Sequence, residues 1–160
     1  TLLLDNLLPG KRLYLLSTGT GFAPFASILC DPETYERFET VISVQGCREV
    51  PELAYAEETV QAVLDHEYLG DLAREKLRFY PTTTREAFHH QGRITDLIAN
   101  GRLFEELGLP ALDAATDRVM ICGSSGMLAD LKAMLIERGF GEGSSGEPEN
   151  GQWSSCLRGC

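Results

Sequence analysis

The sequence predicts a doubly wound α/β domain, in which helices cover both faces of a mainly parallel β-sheet. Three observations predict this fold class. Short apolar strands alternate with amphipathic helices along the chain, a pattern that favours parallel strands joined by right-handed crossovers. The strands lack polar alternation, as expected when both faces of a sheet are covered. Turns rich in glycine, threonine or arginine follow the strands, at the end where such sheets bind ligands.

Four segments have the apolar composition of buried strands, namely residues 12–16, 41–44, 77–80 and 118–122. A glycine-rich turn at 18–21 follows the first of them, and in a doubly wound sheet such a turn marks the point where the strand order reverses. The expected strand order is therefore 3-2-1-4. A fifth position is doubtful, because the segment 141–160 is rich in glycine and serine, which favour flexible chain over a buried strand.

The helices that separate these strands are expected over residues 23–29, 51–64, 94–106 and 127–138. Pro24 stands in the first turn of the first helix, where its missing N–H costs no hydrogen bond. Glu52 makes the first turn of the second helix acidic, which stabilises the positive end of the helix dipole. The third segment is interrupted near Asn100, so it is expected to hold one or two short helices.

The composition bounds the class of protein. A chain of 160 residues is long enough for one domain with a substantial core, and its 43% hydrophobic and 24% charged content is ordinary for a globular domain. Disordered and collagen-like chains are thereby excluded. No apolar run approaches the ~20 residues of a membrane span, so no membrane association is expected. The formal net charge of −10 argues against nucleic acid as a partner, since that requires a basic surface.

The cysteines indicate the redox setting. There are five, and no two of them form a C-x-x-C pair, so no metal site is predicted. The odd number, with no signal peptide at the start, favours a reducing, cytoplasmic location. The first residue is Thr1 rather than methionine, so the chain is expected to be a part of a longer protein.

The turn Thr18-Gly19-Thr20-Gly21 has the features of a phosphate-binding loop. Its glycines permit a tight turn and a close approach of the backbone to a phosphate, and the following helix offers free N–H groups and a positive dipole end. The two threonine hydroxyls add further donors. Pro24 stands where a G-x-G-x-x-G motif has its third glycine, so a plain strand-to-helix turn stays open as the alternative.

Three arginines follow the second and third strands: Arg48, Arg85 and Arg93. A planar guanidinium can hold phosphate oxygens through two hydrogen bonds, and an arginine after the second strand suits the 2′-phosphate of NADP. Grouped at one edge of the sheet, the three could hold a dianionic phosphate despite the net negative charge. For any single arginine, a solvated surface position is the alternative. His89 and His90 lie between them and are expected to be solvated rather than catalytic.

Cys122 closes the fourth strand and is followed by Gly123 and Ser124. This position is expected to lie at the mouth of the ligand crevice, where a thiol could act as a nucleophile. No histidine–acid partner is evident for it. Two alternatives stay open: a small buried residue that closes the strand, or a compact group that lines a site of hydride transfer.

Five motifs in this order and spacing resemble the pyridine-nucleotide domain of bacterial ferredoxin–NADP⁺ reductases: residues 16–25, 46–55, 83–86, 91–93 and 120–124. The resemblance extends from about residue 2 to about residue 147. It implies an α/β domain that binds NADP(H) and positions the nicotinamide for hydride exchange with FAD on a separate β-barrel domain. A single motif would be weak, whereas the ordered set is specific.

The resemblance also assigns residues to roles. The turn Thr18, Gly19, Thr20 and Gly21 would face the pyrophosphate and border the flavin, and Arg48, Arg85 and Arg93 would hold the 2′-phosphate and neighbouring groups. The matched motifs add four residues to the cofactor-binding set: Cys47, Thr84, Gly123 and Ser124. Cys122 would be the catalytic residue, close to the contact between nicotinamide and flavin.

The resemblance divides the chain into three parts. Residues 1–11 resemble the connector from a missing flavin domain, residues 12–140 form the NADP-binding domain, and residues 141–160 form an atypical tail that is expected to be flexible. FAD is therefore expected only together with the missing N-terminal domain.

The implied partner is ferredoxin or flavodoxin. Both are acidic, and a domain with a net charge of −10 repels an acidic protein at close range, so docking is expected mainly on the missing domain. Two other functions stay open for this sequence: a non-catalytic nucleotide-binding α/β module, and an unrelated α/β enzyme that uses Cys122.

Overall fold

The computed structural model describes residues 4–142 and 152–156. Within them, every paired strand of the sheet runs parallel to its neighbours. The strands are β1 (Arg12–Thr18), β2 (Thr40–Cys47), β3 (Leu77–Thr83), β4 (Asp117–Cys122), β5 (Gly141–Glu142) and β6 (Gln152–Cys156). Their spatial order is β3-β2-β1-β4-β6-β5, so the predicted order 3-2-1-4 is confirmed.

The described helices are short, and the longest has 13 residues. They are α1 (Ala23–Leu29), α2 (Pro32–Arg37), α3 (Ala54–Leu64), α4 (Gly70–Lys76), α5 (Ile94–Ala99), α6 (Arg102–Leu107) and α7 (Ser125–Glu137), with 3₁₀ turns at Leu4–Asn6, Gly19–Phe22 and Val50–Leu53. None of these helices has the length and apolar character that crossing a membrane requires.

The sheet is the middle of three layers. On one face its buried side chains pack against α1 to α4, in a cluster that includes Leu15, Phe25 and Val60. On the other face they pack against α5 to α7, in a cluster that includes Leu16, Leu97 and Leu131. Because successive side chains of a strand point to opposite faces, the neighbours Leu15 and Leu16 belong to different clusters. Both faces are covered, and the expected doubly wound fold class is confirmed.

The helices α2 and α4 were not expected from the sequence. Asp31 caps α2, since its side chain accepts a hydrogen bond from the N–H of Glu33 at 3.0 Å, and Pro32 occupies the first helical position. Helix α4 begins at Gly70, where a side chain would place its Cβ 2.5 Å from the backbone oxygen of Leu64. Both helices are too short for an apolar repeat to stand out in the sequence.

The fifth position of the sheet differs from the expectation of an empty or irregular site. The segment Gln152–Cys156 pairs in parallel with β4, from Val119 opposite Trp153 to Cys122 opposite Cys156. Backbone N–H and C=O groups make this pairing, so it needs no apolar side-chain pattern of the kind that identifies strands in a sequence. The rest of the predicted flexible tail, residues 143–151 and 157–160, lies outside the described residues.

Candidate functional site

A cleft of about 640 Å³ lies at the carboxyl ends of the central strands. Its walls come from the turns that follow β1, β2, β3 and β4, which is where a doubly wound sheet binds ligands. Ten of the predicted site residues line it: Thr18, Gly19, Thr20, Gly21, Cys47, Arg48, Thr84, Arg93, Gly123 and Ser124. Arg85 and Cys122 do not line it.

The turns after β1 and β4 are packed backbone to backbone. A side chain on Gly21 would place its Cβ 2.2 Å from the carbonyl oxygen of Cys122, and one on Gly123 would place its Cβ 2.2 Å from Oγ1 of Thr18. The N–H of Ser124 donates to the same Thr18 oxygen at 3.2 Å. Only glycine fits against the backbone at Gly21, and a Cβ on Gly123 would displace the side chains of Thr18 and Met127. The two turns therefore pack closely together beside the cleft.

Helix α7 begins at the second of these two turns. Its N-cap residue Ser124 has extended backbone, and its side chain accepts a hydrogen bond from the N–H of Met127 at 3.4 Å. With 13 residues, α7 is long enough to carry a helix dipole whose positive end favours an anion. The wall of the cleft formed by Gly21, Gly123 and Ser124 is therefore suited to phosphate oxygens.

Backbone hydrogen bonds hold together the turns that carry the predicted arginines, with Arg48 and Arg93 on the opposite wall of the cleft and Arg85 next to Arg48 but outside the lining. The N–H of Thr84 donates to the Cys47 carbonyl at 3.0 Å, and the N–H of Arg85 donates to the Arg48 carbonyl at 2.9 Å. Strands β2 and β3 thus stay paired beyond their ends, and Arg48 lies beside Arg85. The N–H of Gly92 donates to the Thr83 carbonyl at 2.9 Å, which returns the chain to β3 just before Arg93.

The guanidinium groups of these arginines are available for a ligand. Arg48, Arg85 and Arg93 are exposed, and in the described part of the chain none of the three forms a salt bridge. By contrast, the guanidinium groups of Arg12, Arg37, Arg74 and Arg102 all pair with carboxylates.

The nearby carboxylates are engaged elsewhere, which keeps the arginines unpaired. Oε2 of Glu52 accepts the backbone N–H groups of Arg48 and Glu49 at 2.9 and 3.2 Å. Oε2 of Glu86 accepts the N–H of Val50 at 2.7 Å. Both acids therefore order the turn that carries Arg48 instead of neutralising its side chain. Among the described residues, the three guanidinium groups are thereby left without a carboxylate partner, in a chain whose net charge is −10.

Cys122 is not at the mouth of the cleft, and this corrects the expectation from the sequence. The residue is completely buried in the cluster on the α1 to α4 face. The alternation of side chains along β4 places Cys122 on the same face as Met120, under the helices. This placement matches the alternative of a small buried residue that closes the strand, while a catalytic role for its thiol stays a prediction.

The second predicted cysteine of the site, Cys47, lies at the buried edge of the cleft. Its thiol donates to the carbonyl of Glu52 at 3.6 Å and accepts a hydrogen bond from Nε2 of Gln45 at 3.4 Å. Burial raises the pKa of the Cys47 thiol, and the hydrogen bond from Gln45 opposes that rise. Cys47 is therefore a neutral, structural thiol at physiological pH.

Several residues of the cleft were missed by sequence reasoning, among them Gln45, Tyr55 and Met127. Tyr55 is 55% exposed and contacts the ring of Phe22 edge to face, with centroids 5.6 Å apart. In the sequence, Tyr55 and Met127 look like ordinary residues of amphipathic helices. Gln45 did carry a signal, since a glutamine at the end of an apolar strand needs hydrogen-bond partners if it is buried.

His90 is only partly solvated, contrary to the expectation of a solvated side chain. Its ring stacks on Tyr80 with centroids 3.7 Å apart, and Nδ1 lies 3.0 Å from the carbonyl of Pro81, so Nδ1 carries the proton. Nε2 lies 3.9 Å from Oε2 of Glu106, which accepts the hydroxyl hydrogen of Tyr80. Oε1 of Glu106 accepts from Nε of Arg102 at 2.8 Å. This cluster anchors the loop between β3 and α5, which carries two of the predicted arginines.

We expect the free energy of unfolding to decrease as the pH falls below about 6.5, the ordinary pKa of histidine. Burial lowers the pKa of His90, and the Pro81 carbonyl and Glu106 offset this only in part, with His89 and Arg102 acting in the same direction as burial. The unfolded chain then binds a proton more readily than the folded one, so stability rises with pH across this window. Urea unfolding at stepped pH measures the slope.

His90→Phe keeps a ring stacked on Tyr80 but cannot titrate. The free energy of unfolding of this variant should therefore vary less with pH than that of the parent. His89→Phe should flatten the pH profile less than His90→Phe does, because His89 is a smaller cause of the lowered His90 pKa than burial is. A slope unchanged in His90→Phe would contradict the assignment.

The pKa of Glu106 is lowered, most strongly by the hydrogen bond from Tyr80. Its stabilising contribution is therefore lost in a separate window, as the pH falls through and below about 4.3.

The sequence is similar to a known protein family and to several proteins of known name. Residues 15–133 match the family described as the oxidoreductase NAD-binding domain. The chain is 57% identical over 148 residues to ferredoxin–NADP reductase A of Sorangium cellulosum, covering 92% of this chain and 53% of that protein. It is 58% identical over 140 residues to ferredoxin–NADP reductase of Pseudomonas aeruginosa, covering 88% and 54%. The chain thus spans about half the length of the curated relatives it matches.

Solved structures show the same fold. A ferredoxin NADP⁺ reductase from Neisseria gonorrhoeae with bound FAD and NADP superposes with a TM-score of 0.80 at 29% identity, over 96% of this chain and 59% of that one. A flavohemoglobin from Malassezia yamatoensis superposes with a TM-score of 0.61 at 18% identity, over 92% of this chain and 32% of that one. The second likeness concerns the fold alone.

Proposed function

Since the chain belongs to the oxidoreductase NAD-binding domain family, we propose that it is the NADP(H)-binding part of a ferredoxin (or flavodoxin)–NADP⁺ reductase. One observation carries the choice of NADP(H): unpaired Arg48, Arg85 and Arg93 stand after β2 and β3, and a wall of glycine backbone stands across the cleft. The relatives that cover most of this chain carry the same activity in their names.

The residues of the cleft fit a dinucleotide with a 2′-phosphate. At Gly21 and Gly123 a Cβ would clash with neighbouring protein atoms, so the glycines allow the two turns to pack together beside the cleft. The start of α7 adds a positive potential there, so the pyrophosphate is assigned to this wall. The 2′-phosphate is assigned to the arginine wall, where planar guanidinium groups suit its charge and shape. NADP(H) would thus lie across the carboxyl ends of β1, β2 and β4.

The contribution of this chain is binding and orientation. The nicotinamide and the flavin, when bound, supply the hydride exchange themselves. Cys47, Thr18 and Thr84 shape the cleft around the dinucleotide. An unrelated enzyme activity based on Cys122 is not favoured, because that thiol is completely buried.

All contacts assigned in the cleft are with the pyridine nucleotide. The proposed reductase therefore needs a separate flavin-binding unit, which would lie outside the described residues. Ferredoxin or flavodoxin would dock mainly on that unit, since this chain carries a net charge of −10 and repels acidic proteins. A cytoplasmic location and the absence of membrane and nucleic-acid partners remain predictions from composition.

The parent chain should bind NADPH more tightly than NADH, and Arg48→Ala should lose most of that preference. A hydrogen bond between charged groups contributes about 1.5–3 kcal/mol, which corresponds to about tenfold or more in affinity. Calorimetric titration of both nucleotides, at one fixed salt concentration, measures the ratio of their dissociation constants.

Arg74→Ala is the matched control. It removes the same charge from the exposed face of helix α4, where Arg74 pairs with Asp71, and should leave the ratio unchanged. Equal affinities for NADPH and NADH in the parent would refute the proposed preference. A ratio that falls equally in both variants would show a general effect of net charge, and the assignment of Arg48 would then be wrong.

A further inference from the structure

Gln45 is a buried polar residue at the base of the cleft. Only 2% of its surface is exposed, and it lies next to Ser17 in the parallel register of β1 and β2. Its Nε2 donates to the carbonyl of Gly19 at 2.9 Å and to Sγ of Cys47 at 3.4 Å, and its Oε1 accepts the hydroxyl hydrogen of Ser17. Both amide hydrogens and the amide oxygen thus have partners.

These partners allow only one orientation of the amide. If the amide were turned over, Oε1 would face the carbonyl oxygen of Gly19, and two acceptors would meet without a hydrogen between them. Ser17 and Gly19 belong to β1 and the turn after it, whereas Gln45 belongs to β2. The side chain therefore connects the turn of the cleft to the neighbouring strand.

This hydrogen bond affects the orientation of the peptide group between Gly19 and Thr20, that is, the directions of the Gly19 carbonyl and the Thr20 N–H. No cis peptide bond occurs in the described chain, so the N–H of Thr20 points opposite to the carbonyl of Gly19. The carbonyl points inward to Gln45. The N–H consequently points away from Gln45, and Thr20 is exposed and lines the cleft.

The orientation matters to an anion, because a carbonyl oxygen repels a phosphate and an N–H binds it. Gly19 has a φ of +53°, in the left-handed region that glycine adopts at little cost. A glycine peptide can turn over easily, and the 3₁₀ turn Gly19–Phe22 is only four residues long. The hydrogen bond from Gln45 adds a side-chain restraint on the Gly19 carbonyl to those of the turn.

We infer that Gln45 is a positioning residue, which keeps the Gly19 carbonyl turned away from the dinucleotide pyrophosphate and presents the Thr20 N–H to it. The inference rests on the proposed function, since it assumes that a dinucleotide occupies this cleft. The Gly19 bond lies on the side of the glycine turn, so the effect of that bond is expected on the pyrophosphate and not on the 2′-phosphate.

The test uses Gln45→Met in the 160-residue chain, because methionine has a similar length and no amide hydrogens. Dissociation constants are measured for NADPH, NADH and adenosine 2′-phosphate, which lacks the pyrophosphate. Gln45→Met removes all three hydrogen bonds of the amide. The loss of the one to the Gly19 carbonyl is expected to weaken the binding of NADPH and NADH about 5-fold, by the same factor. Binding of adenosine 2′-phosphate should not change.

Gln61→Met is the matched control, since Gln61 is exposed on α3, and it should leave all three constants unchanged. Weaker binding of adenosine 2′-phosphate along with the dinucleotides would show general disorder of the site and overturn the inference, as would unchanged binding of NADH. A parent that binds none of the three ligands would instead refute the proposed function.

Gln45→Glu gives a second readout if the methionine variant does not fold. An ionised carboxylate cannot donate to the Gly19 carbonyl, whereas a protonated one can. The dissociation constant of Gln45→Glu for NADH is divided by that of the parent at the same pH. This ratio should approach one as the pH falls and the buried carboxyl takes up a proton. A ratio to the parent that is independent of pH would count against the role of Gln45.

Discussion

Gly21→Ala should destabilise the domain by about 3 kcal/mol, the upper range for overpacking a core, and reduce nucleotide binding by more than about tenfold. The added Cβ would lie 2.2 Å from the carbonyl oxygen and 2.6 Å from the carbonyl carbon of Cys122, and 2.9 Å from the N–H nitrogen of Gly123. All three are backbone atoms, so no side-chain rotation relieves the contact. The turns after β1 and β4 would have to separate.

The separation would also disturb the wall assigned to the pyrophosphate, which is why stability and binding should decline together. Urea unfolding measures the first and calorimetric titration of NADPH the second. Gly126→Ala is the matched control, because a Cβ there meets nothing within 4 Å. Gly126 lies within α7, where alanine should stabilise by about 0.5–1 kcal/mol. Full stability in Gly21→Ala would show that the two turns are not tightly packed.

Asp117→Ala should lower the free energy of unfolding by about 3 kcal/mol, the lower value for breaking a buried ion pair. Asp117 is completely buried at the start of β4, and its Oδ1 accepts from Nε of Arg12 at 2.7 Å. Its Oδ2 accepts the N–H of Asp113 at 2.9 Å. Arg12 keeps 18% side-chain exposure, so its orphaned charge is partly hydrated, which holds the expected loss at the lower end.

Nucleotide binding by the folded fraction of Asp117→Ala should remain unchanged. Asp117 pairs with Arg12 at the first residue of β1, which is the opposite end of the sheet from the cleft. Asp71→Ala breaks an exposed pair on α4, with 96% of the Asp71 side chain exposed, and should cost less than about 0.5 kcal/mol. If the two aspartate variants lost equal stability, burial would not be the source of the effect.

The sequence predicted the sheet order and the edge of the sheet at which the cleft lies, because both depend on local patterns. Apolar strands followed by glycine or arginine turns mark the carboxyl ends of parallel strands, whatever the packing around them. The prediction was wrong for the accessibility of Cys122, since the face toward which a strand residue points depends on register. It left β6 in doubt, because backbone pairing along β4 leaves little trace in the residues Gln152–Cys156.

By itself, the sequence determined that glycine turns and three arginines follow the strands of a doubly wound sheet. The tertiary structure decided which of their atoms are free to bind a ligand. Glu52 and Glu86 accept hydrogen bonds from backbone N–H groups and, within the described residues, form no salt bridge with the arginines. Gln45 donates a hydrogen bond to the carbonyl of Gly19, which lies 26 residues earlier in the chain. Two of these four contacts, Glu86 to Val50 and Gln45 to Gly19, join segments that are distant in the chain. They exist only once the sheet has assembled, and no local pattern of residue types records them.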